Sequence, residues 1–109
     1  MIPNAENAFI DIGKLRDNAI NPIHRVGSHK ARLFSILLGM NMNDAETLRD
    51  ILLNVVRTHE ATLGERDEYG QRYVIDFLLV WHDKQARVRS AWIVRPDEDF
   101  PRLVTCYPL

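Results

Sequence analysis

The chain has 109 residues, of which 46% are hydrophobic and 27% are charged, and its formal net charge is −1 at pH 7. This length suits one domain with one core, and the composition is typical of a globular rather than a disordered protein. No apolar run reaches the ~18 residues of a membrane span, and the start lacks the basic segment of a secretory signal, so no membrane partner is expected. The near-neutral charge argues against a general nucleic-acid binder.

The first predicted helix is short. Asp11 is a candidate N-cap, and the helix is expected to continue to Asn18. Asn21 precedes Pro22, and the residue before a proline avoids helical dihedral angles. The helix therefore ends before this pair, and residues 20–27 are predicted to form a loop.

A second helix is predicted over residues 28–38, with its first residue, a serine, as N-cap and Gly39 as its stop. His29, Lys30 and Arg32 fall near its start, on the side expected to face solvent. The dipole adds positive potential at this end, which suits an anion. The apolar residues at helical spacing are expected to face the core: Leu33, Phe34, Leu37 and Leu38.

A third helix is predicted from a pair that resembles a capping box, Asn43 and Glu46. The helix is expected to fade between residues 57 and 62. Its apolar residues recur at the spacing of one helical face: Leu48, Ile51, Leu52, Val55 and Val56.

Four strands are predicted in the second half, the clearest over residues 71–81, which are rich in Tyr, Val, Ile, Phe and Leu. Their ranges are 61–68, 71–81, 86–95 and 102–107. The connections are a turn at Tyr69-Gly70, a loop over 82–85 and an acidic turn over 96–101. The third strand alternates, so Val88 and Trp92 should face the helices while Arg87, Arg89 and Arg95 face outward.

These elements predict a single α+β domain over residues 1–109, with a helical half over about 11–60 and an antiparallel meander over about 61–108. About three helices should pack on one face of a three- to four-stranded sheet. The other face would remain open and carry arginines, which suits a polyanion.

Basic residues are unevenly distributed. Residues 14–32 carry five basic side chains against one acid, and residues 84–95 carry four and no acid. This asymmetry permits a basic cleft on a neutral protein, although solvated faces of ordinary elements explain it equally well.

The last strand combines Arg102, Thr105 and Tyr107, and a second basic cluster lies upstream at residues 24–32. Cleavage of RNA without a metal needs a base, an acid and a cation that stabilises the charge of the transition state. His serves as base or acid near neutral pH, and Arg clamps phosphate. If the fold brings the two segments together, they form a metal-free phosphodiester-cleaving site.

Among the four histidines, His29 is the first candidate for catalysis and His24 the second, while His59 and His82 are expected to be ordinary solvated residues. The histidines and the single cysteine, Cys106, show no ligand spacing typical of a metal site, so neither a metal nor a cofactor is expected. A lone strand cysteine is usually a buried hydrophobic residue, and Trp81 and Trp92 are read as core or base-stacking residues.

The chain resembles a bacterial domain family found at the C-termini of polymorphic toxins and in phage-associated proteins. The resemblance covers residues 2–108. Its motifs here are Leu15 with Asn21-Pro22, Gly27-Ser28-His29-Lys30-Ala31-Arg32-Leu33-Phe34, Tyr69-Gly70 with Tyr73, Trp92-Ile93-Val94 and Arg102-Leu103-Val104-Thr105-Cys106-Tyr107-Pro108. The order of helices and sheet and the final strand are also similar to the barnase, EndoU, colicin and RelE-like (BECR) ribonuclease fold.

That similarity implies a metal-independent endoribonuclease toxin, which leaves a 2′,3′-cyclic phosphate on RNA, tRNA being one possible substrate. It implies action in the cytoplasm, in some cases after delivery as the end of a larger secreted protein, and neutralisation by a cognate immunity protein. The implied catalytic residues are His29, Lys30, Arg102, Thr105 and Tyr107. The implied substrate-binding residues are Arg32, Arg89 and His24.

Two alternatives stay open at this point: a non-enzymatic binding or assembly module of a phage or secretion system, and an immunity-type protein. The RNA target, the delivering polypeptide, the general base and the oligomeric state are not fixed by the residues. Many ribonucleases of this kind are plainly basic, whereas this chain is not.

Overall fold

The chain folds with its helices first and its strands second, as predicted for an α+β protein. The computed structural model describes residues 1–20 and 28–109. The helices are α1 (Ile12–Lys14, continued by a π-helical turn over Leu15–Ala19), α2 (Ser28–Leu38) and α3 (Ala45–Thr58). The strands are β1 (Thr62–Asp67), β2 (Gly70–Trp81), β3 (Lys84–Val94) and β4 (Pro101–Pro108). Within these ranges no helix is long and apolar enough to cross a membrane.

The four strands form one antiparallel sheet in the order β1-β2-β3-β4, which is the predicted meander. The N-terminal segment adds a parallel bridge between Phe9 and Arg102 at the edge of β4. There the Phe9 N–H donates to the Pro101 carbonyl at 2.9 Å, and the Leu103 N–H donates to the Phe9 carbonyl at 3.0 Å. This segment therefore shields the first part of an edge strand.

The inner face of the sheet packs against the helices and forms the core. Four of the five predicted stripe residues of α3 are buried there, Ile51 is half-buried, and Trp92 is fully buried. Ser90 is also buried; its hydroxyl donates to the Ile75 carbonyl and accepts a hydrogen bond from the Trp92 indole N–H. The buried residues from helices and strands include Phe34, Leu38, Leu48, Leu52, Val56, Ile75, Phe77, Leu79, Val88, Trp92 and Cys106.

The outer face of the sheet carries arginines, which confirms the alternation predicted for β3. Arg89 lies opposite Asp76 of β2 and opposite Tyr107 of β4. Directly opposed residues of antiparallel strands place their side chains on the same face. Strands β2, β3 and β4 and the residue after β3 bring five arginines and one aspartate to this face: Arg72, Arg87, Arg89, Arg95, Arg102 and Asp76.

Some local predictions were wrong. The capping box before α3 is formed by Asn41 and Asp44, whose backbone and side chains bond reciprocally, rather than by Asn43 and Glu46. A short 3-10 turn precedes α3 and shifts the start of the box. In α2, Leu37 is 39% exposed because the helix packs on the sheet through Ala31, Phe34 and Leu38 instead.

The β2–β3 hairpin is tighter than predicted, and the β1–β2 hairpin has a two-residue turn, as predicted. The loop between β2 and β3 consists of His82 and Asp83 alone, with His82 at a positive φ of 56°. Between β1 and β2, Gly70 has φ 137°, and a Cβ there would lie 2.2 Å from the Val94 carbonyl oxygen. The β1–β2 hairpin therefore requires glycine at position 70, because the start of β2 and the end of β3 approach too closely for a side chain.

Candidate functional site on the outer sheet face

The centre of the candidate site is a contact between α2 and β4. The Lys30 Nζ atom lies 4.2 Å from the centre of the Tyr107 ring, which is within the range of a cation–π interaction. Lys30 stands in the first turn of α2 and is exposed, while Tyr107 is half-buried on the outer face. The fold therefore brings together one residue from each of the two segments that the sequence singled out.

Arg89 completes this centre from β3. It lies opposite Tyr107 in the strand register, and the Tyr107 phenol contributes to its raised pKa. The main cause of that raised pKa is Asp76, which accepts two hydrogen bonds from the guanidinium, at 2.8 and 2.9 Å. In turn, Arg89 lowers the pKa of the Asp76 carboxyl. Asp76 thus fixes the planar guanidinium in one orientation beside Tyr107.

Three side chains of the outer face, Asp76, Arg89 and Tyr107, together with Lys30 of α2 form a row that we call the Lys30–Tyr107 centre. Two cations flank the phenol, and only one of them has a carboxylate partner. Within the part of the chain that the structure describes, no carboxylate lies within salt-bridge distance of Lys30. An exposed ammonium held beside a hydroxyl and a guanidinium is able to bind a phosphate group.

The other predicted site residues are placed differently. Thr105 is half-buried two residues before Tyr107 and lies opposite Ala91 on the same face. Arg32 is exposed, but it stands two residues after Lys30 on α2, and such pairs do not share a helix face. His29 is the second residue of α2; its imidazole is not among the described side chains, and His24 lies outside the described residues.

Arg102 does not join the Lys30–Tyr107 centre. It precedes Tyr107 by five residues on one extended strand, a separation of roughly 16 Å at about 3.3 Å per residue. Its guanidinium donates to both Glu98 carboxylate oxygens, at 2.8 and 2.7 Å, and lies 4.8 and 5.4 Å from the ring centres of Phe9 and Phe100. Arg102 therefore does not share one pocket with Lys30 and Tyr107, whereas the sequence predicted that it would join the basic cluster.

The sequence reasoning missed Asp76. A signal was present, because this aspartate interrupts an otherwise apolar run in β2. A carboxylate in the middle of a central strand is rarely left without a partner. The strand alternation predicts that it faces outward, where the arginine-bearing face of β3 supplies that partner.

Cys106 lies on the inner face and is fully buried, so burial raises the pKa of its thiol to about 12. Its predicted role as a small hydrophobic residue is confirmed. Among residues 1–20 and 28–109, no group of three or more His, Cys, Asp or Glu side chains is arranged to hold a metal ion.

The profile of one protein family, described as Domain of unknown function (DUF6883), matches residues 1–109. The chain belongs to this family. No match to a curated protein was found. Among solved structures, this DUF6883 domain is similar to a chain of the contact-dependent growth inhibition toxin–immunity protein complex from Klebsiella pneumoniae 342. The two share 18% identity over 95% of each chain, with a TM-score of 0.67.

At this identity the likeness concerns the fold, and it confirms the predicted α+β arrangement over nearly the whole DUF6883 domain. The assignment to the BECR ribonuclease fold stays a prediction. The site residues are likewise assigned on the geometry of this chain alone.

Proposed function

We propose that this DUF6883 domain is a toxin that cleaves RNA without a metal ion, through attack by the RNA's own 2′-hydroxyl. The observation that carries the proposal is the contact of Lys30 with Tyr107 beside the fixed guanidinium of Arg89. The three groups offer two cations and one hydroxyl at one point of an exposed, arginine-bearing face.

The chemistry needs two proton transfers. A base takes the proton of the 2′-hydroxyl, the 2′-oxygen bonds to phosphorus, and the bond between phosphorus and the 5′-oxygen breaks. An acid gives a proton to the leaving 5′-oxygen. The products are a 2′,3′-cyclic phosphate and a 5′-hydroxyl end.

Lys30 and Arg89 are assigned to the non-bridging phosphate oxygens, where cations stabilise the charge that develops in the transition state. Tyr107 is assigned as the proton donor to the leaving oxygen, with Thr105 as a neighbouring hydrogen-bonding group. His29 is assigned as the base, on the ground that it directly precedes Lys30 in α2.

The remaining predicted residues take peripheral parts in this proposal. Arg102 anchors the N-terminal segment to β4 through Phe9 and holds Glu98, so its contribution to the reacting phosphate is indirect. Arg32, and the upstream His24, are assigned to more distant parts of the RNA.

The wider setting rests on analogy. The solved neighbour is one chain of a toxin–immunity protein complex, so a role in such a pair, here as the toxin with a cognate immunity protein as partner, is proposed for this chain too. The toxin would act in the cytoplasm, where RNA is available.

A second candidate function is that of the immunity-type protein, which binds a toxin and has no activity alone. The observation that favours it is the pairing of the surface arginines. On the outer sheet face, Arg72, Arg89 and Arg102 form ion pairs with neighbouring carboxylates, and the net charge is −1. Such paired charges suit recognition of a protein surface as well as RNA.

Induced expression in bacteria separates the two candidates. The toxin proposal expects growth arrest by the wild-type chain, relief of arrest by Lys30→Ala, and unchanged arrest by Lys84→Ala, an exposed lysine at the start of β3. Harmless expression of soluble, folded wild-type protein would contradict the toxin proposal and favour the immunity-type candidate.

A further inference from the structure

A groove crosses the outer face at the end opposite the Lys30–Tyr107 centre. It consists of two adjoining depressions, of about 430 and 170 Å³, which share Ile93, Arg95 and Val104. Tyr69 lines the larger depression and Arg102 the smaller one. We call this surface the arginine groove.

The chemistry of the arginine groove combines an apolar floor with oriented cations. Ile93 lines both depressions although it is only 7% exposed, so it forms their floor, and Val104, which is 50% exposed, adds apolar surface. Arg72 is held by Asp67 at 3.1 Å and Arg102 by Glu98. These ion pairs fix two guanidinium groups along the walls.

Arg95 differs from those two arginines. It is exposed, it lines both depressions, and no carboxylate of the described chain lies within salt-bridge distance of it. It follows the last residue of β3 and continues the outward alternation of Arg87 and Arg89. Its guanidinium is therefore available to a phosphate that enters the groove.

Tyr69 supplies an aromatic surface at the rim. It is 64% exposed and stands in the turn between β1 and β2. Its backbone N–H donates to Asp67 at 2.9 Å, which fixes the turn. An exposed aromatic ring beside cations is the usual platform on which proteins stack the bases of single strands.

We infer that the arginine groove binds a single-stranded segment of RNA that flanks the cleaved bond, with a base on Tyr69 and a phosphate on Arg95. This inference rests on the proposed function. The groove and the Lys30–Tyr107 centre lie along the same strand: Arg102 of the groove is roughly 16 Å from Tyr107 on β4, and Val104 is roughly 10 Å from it, at about 3.3 Å per residue. A strand that occupies both sites must therefore be longer than a dinucleotide.

Three carboxylates line the groove and favour RNA over an acidic peptide. Glu68 and Asp97 line the larger depression and Asp11 the smaller one. Carboxylates accept hydrogen bonds from ribose hydroxyls, which distinguish RNA from DNA and which a peptide of acidic residues lacks.

The test compares cleavage of a dinucleotide with cleavage of a ten-nucleotide single strand. For Arg95→Ala and Tyr69→Ala, we expect the ratio of kcat/KM for the long substrate to that for the dinucleotide to fall about ten-fold. Tyr69→Phe should keep the ratio, because the stacking ring remains. Arg66→Ala is the matched control, since Arg66 is an exposed arginine of β1 outside the groove.

Binding is measured separately by fluorescence anisotropy of the labelled ten-nucleotide RNA in a Lys30→Ala background. There Arg95→Ala should weaken binding and lower the slope of log affinity against log salt by about 0.7, the contribution of one phosphate contact. Poly-glutamate is the competitor for the acidic-peptide alternative, and it should displace RNA poorly.

Each failure has its own meaning. Cleavage by the wild type with unchanged ratios in Arg95→Ala and Tyr69→Ala would overturn the groove and leave the proposed function standing. Efficient displacement of RNA by poly-glutamate would reassign the groove to a protein partner. Absence of both cleavage and RNA binding by the wild type would overturn the groove together with the proposed function.

Discussion

The Lys30 ammonium stands over the ring of Tyr107, 4.2 Å from its centre, and joins the start of α2 to the end of β4. These residues are 77 positions apart in the chain. The contact places two segments that are distant in sequence on one continuous surface. It also holds the lysine near Arg89, which lies opposite Tyr107. Everything proposed for catalysis depends on this surface.

Replacement of Lys30 by alanine should remove a cation from the reacting phosphate. We expect RNA cleavage to fall by about 10²–10³, the usual loss when one stabilising group of a transition state is deleted. Lys30 is exposed, so the thermal unfolding temperature should stay close to that of the wild type. Lys84→Ala serves as the matched control and should keep full activity.

Tyr107→Phe tests the hydroxyl of Tyr107 separately from its aromatic ring. The ring remains beneath the Lys30 ammonium, whereas the hydroxyl assigned as proton donor is lost. We expect cleavage to fall by about 10²-fold or more while the fold is kept. Tyr73→Phe, on the inner face, is the control. Equal cleavage by Tyr107→Phe and the wild type would remove the hydroxyl from the mechanism.

Ser90→Ala tests the buried hydrogen bonds of the Ser90 hydroxyl with Ile75 and Trp92. The substitution leaves the Trp92 indole N–H buried without its acceptor. We expect the free energy of unfolding in urea to fall by about 1–3 kcal/mol. The control is Ser35→Ala, an exposed serine of α2 that should change little. A similar stability for both variants would show that the hydroxyl is dispensable.

The ion pair of Glu98 with Arg102 makes stability depend on pH. The Arg102 hydrogen bonds hold the pKa of the Glu98 carboxyl below its ordinary value of 4.5. The ionised form therefore stabilises the folded state, and this contribution is present above pH 4.5 and is lost as pH falls through the lower folded-state pKa.

Urea unfolding of Glu98→Gln at several pH values measures this contribution. The difference in unfolding free energy from the wild type should be constant near neutral pH and should shrink as pH drops below 4.5. Glu65→Gln, an exposed glutamate of β1, is the control. A difference that is independent of pH would contradict the role of the ion pair.

Cys106 should resist alkylation in the folded protein. Its thiol is fully buried, and burial raises its pKa to about 12, so little reactive thiolate forms near neutral pH. Iodoacetamide should modify the protein only after denaturation, as mass spectrometry can show. Rapid modification of the native protein would mean that β4 opens readily at this position.

Much of the fold follows from local patterns. The stripe of α3 and the alternation of β3 each bury one face, and both predictions are confirmed. Leu37 was misplaced because helical spacing alone does not fix which neighbouring residue marks the edge of a buried stripe. The capping box was misplaced because a 3-10 turn before α3 offered an equivalent pair two residues earlier.

The site is harder to predict because it depends on long-range geometry. Tyr107 and Lys30 were both candidates, yet their contact follows from how α2 packs beside β4. The rise per residue along a strand is enough to show that Arg102 lies too far from Tyr107 for both side chains to contact the same phosphate. The pairing of Asp76 with Arg89 depends on the strand register, which a two-residue hairpin loop fixes.

Cleavage of RNA by the purified wild-type protein tests the central claim most directly. The protein is incubated with tRNA and with total RNA, in the presence and absence of EDTA, and the new 3′ ends are analysed. The expected result is cleavage under both conditions, with 2′,3′-cyclic phosphate ends that resist phosphatase until acid opens the ring. No cleavage at high protein concentration, or cleavage that EDTA abolishes, would contradict the proposed metal-independent ribonuclease.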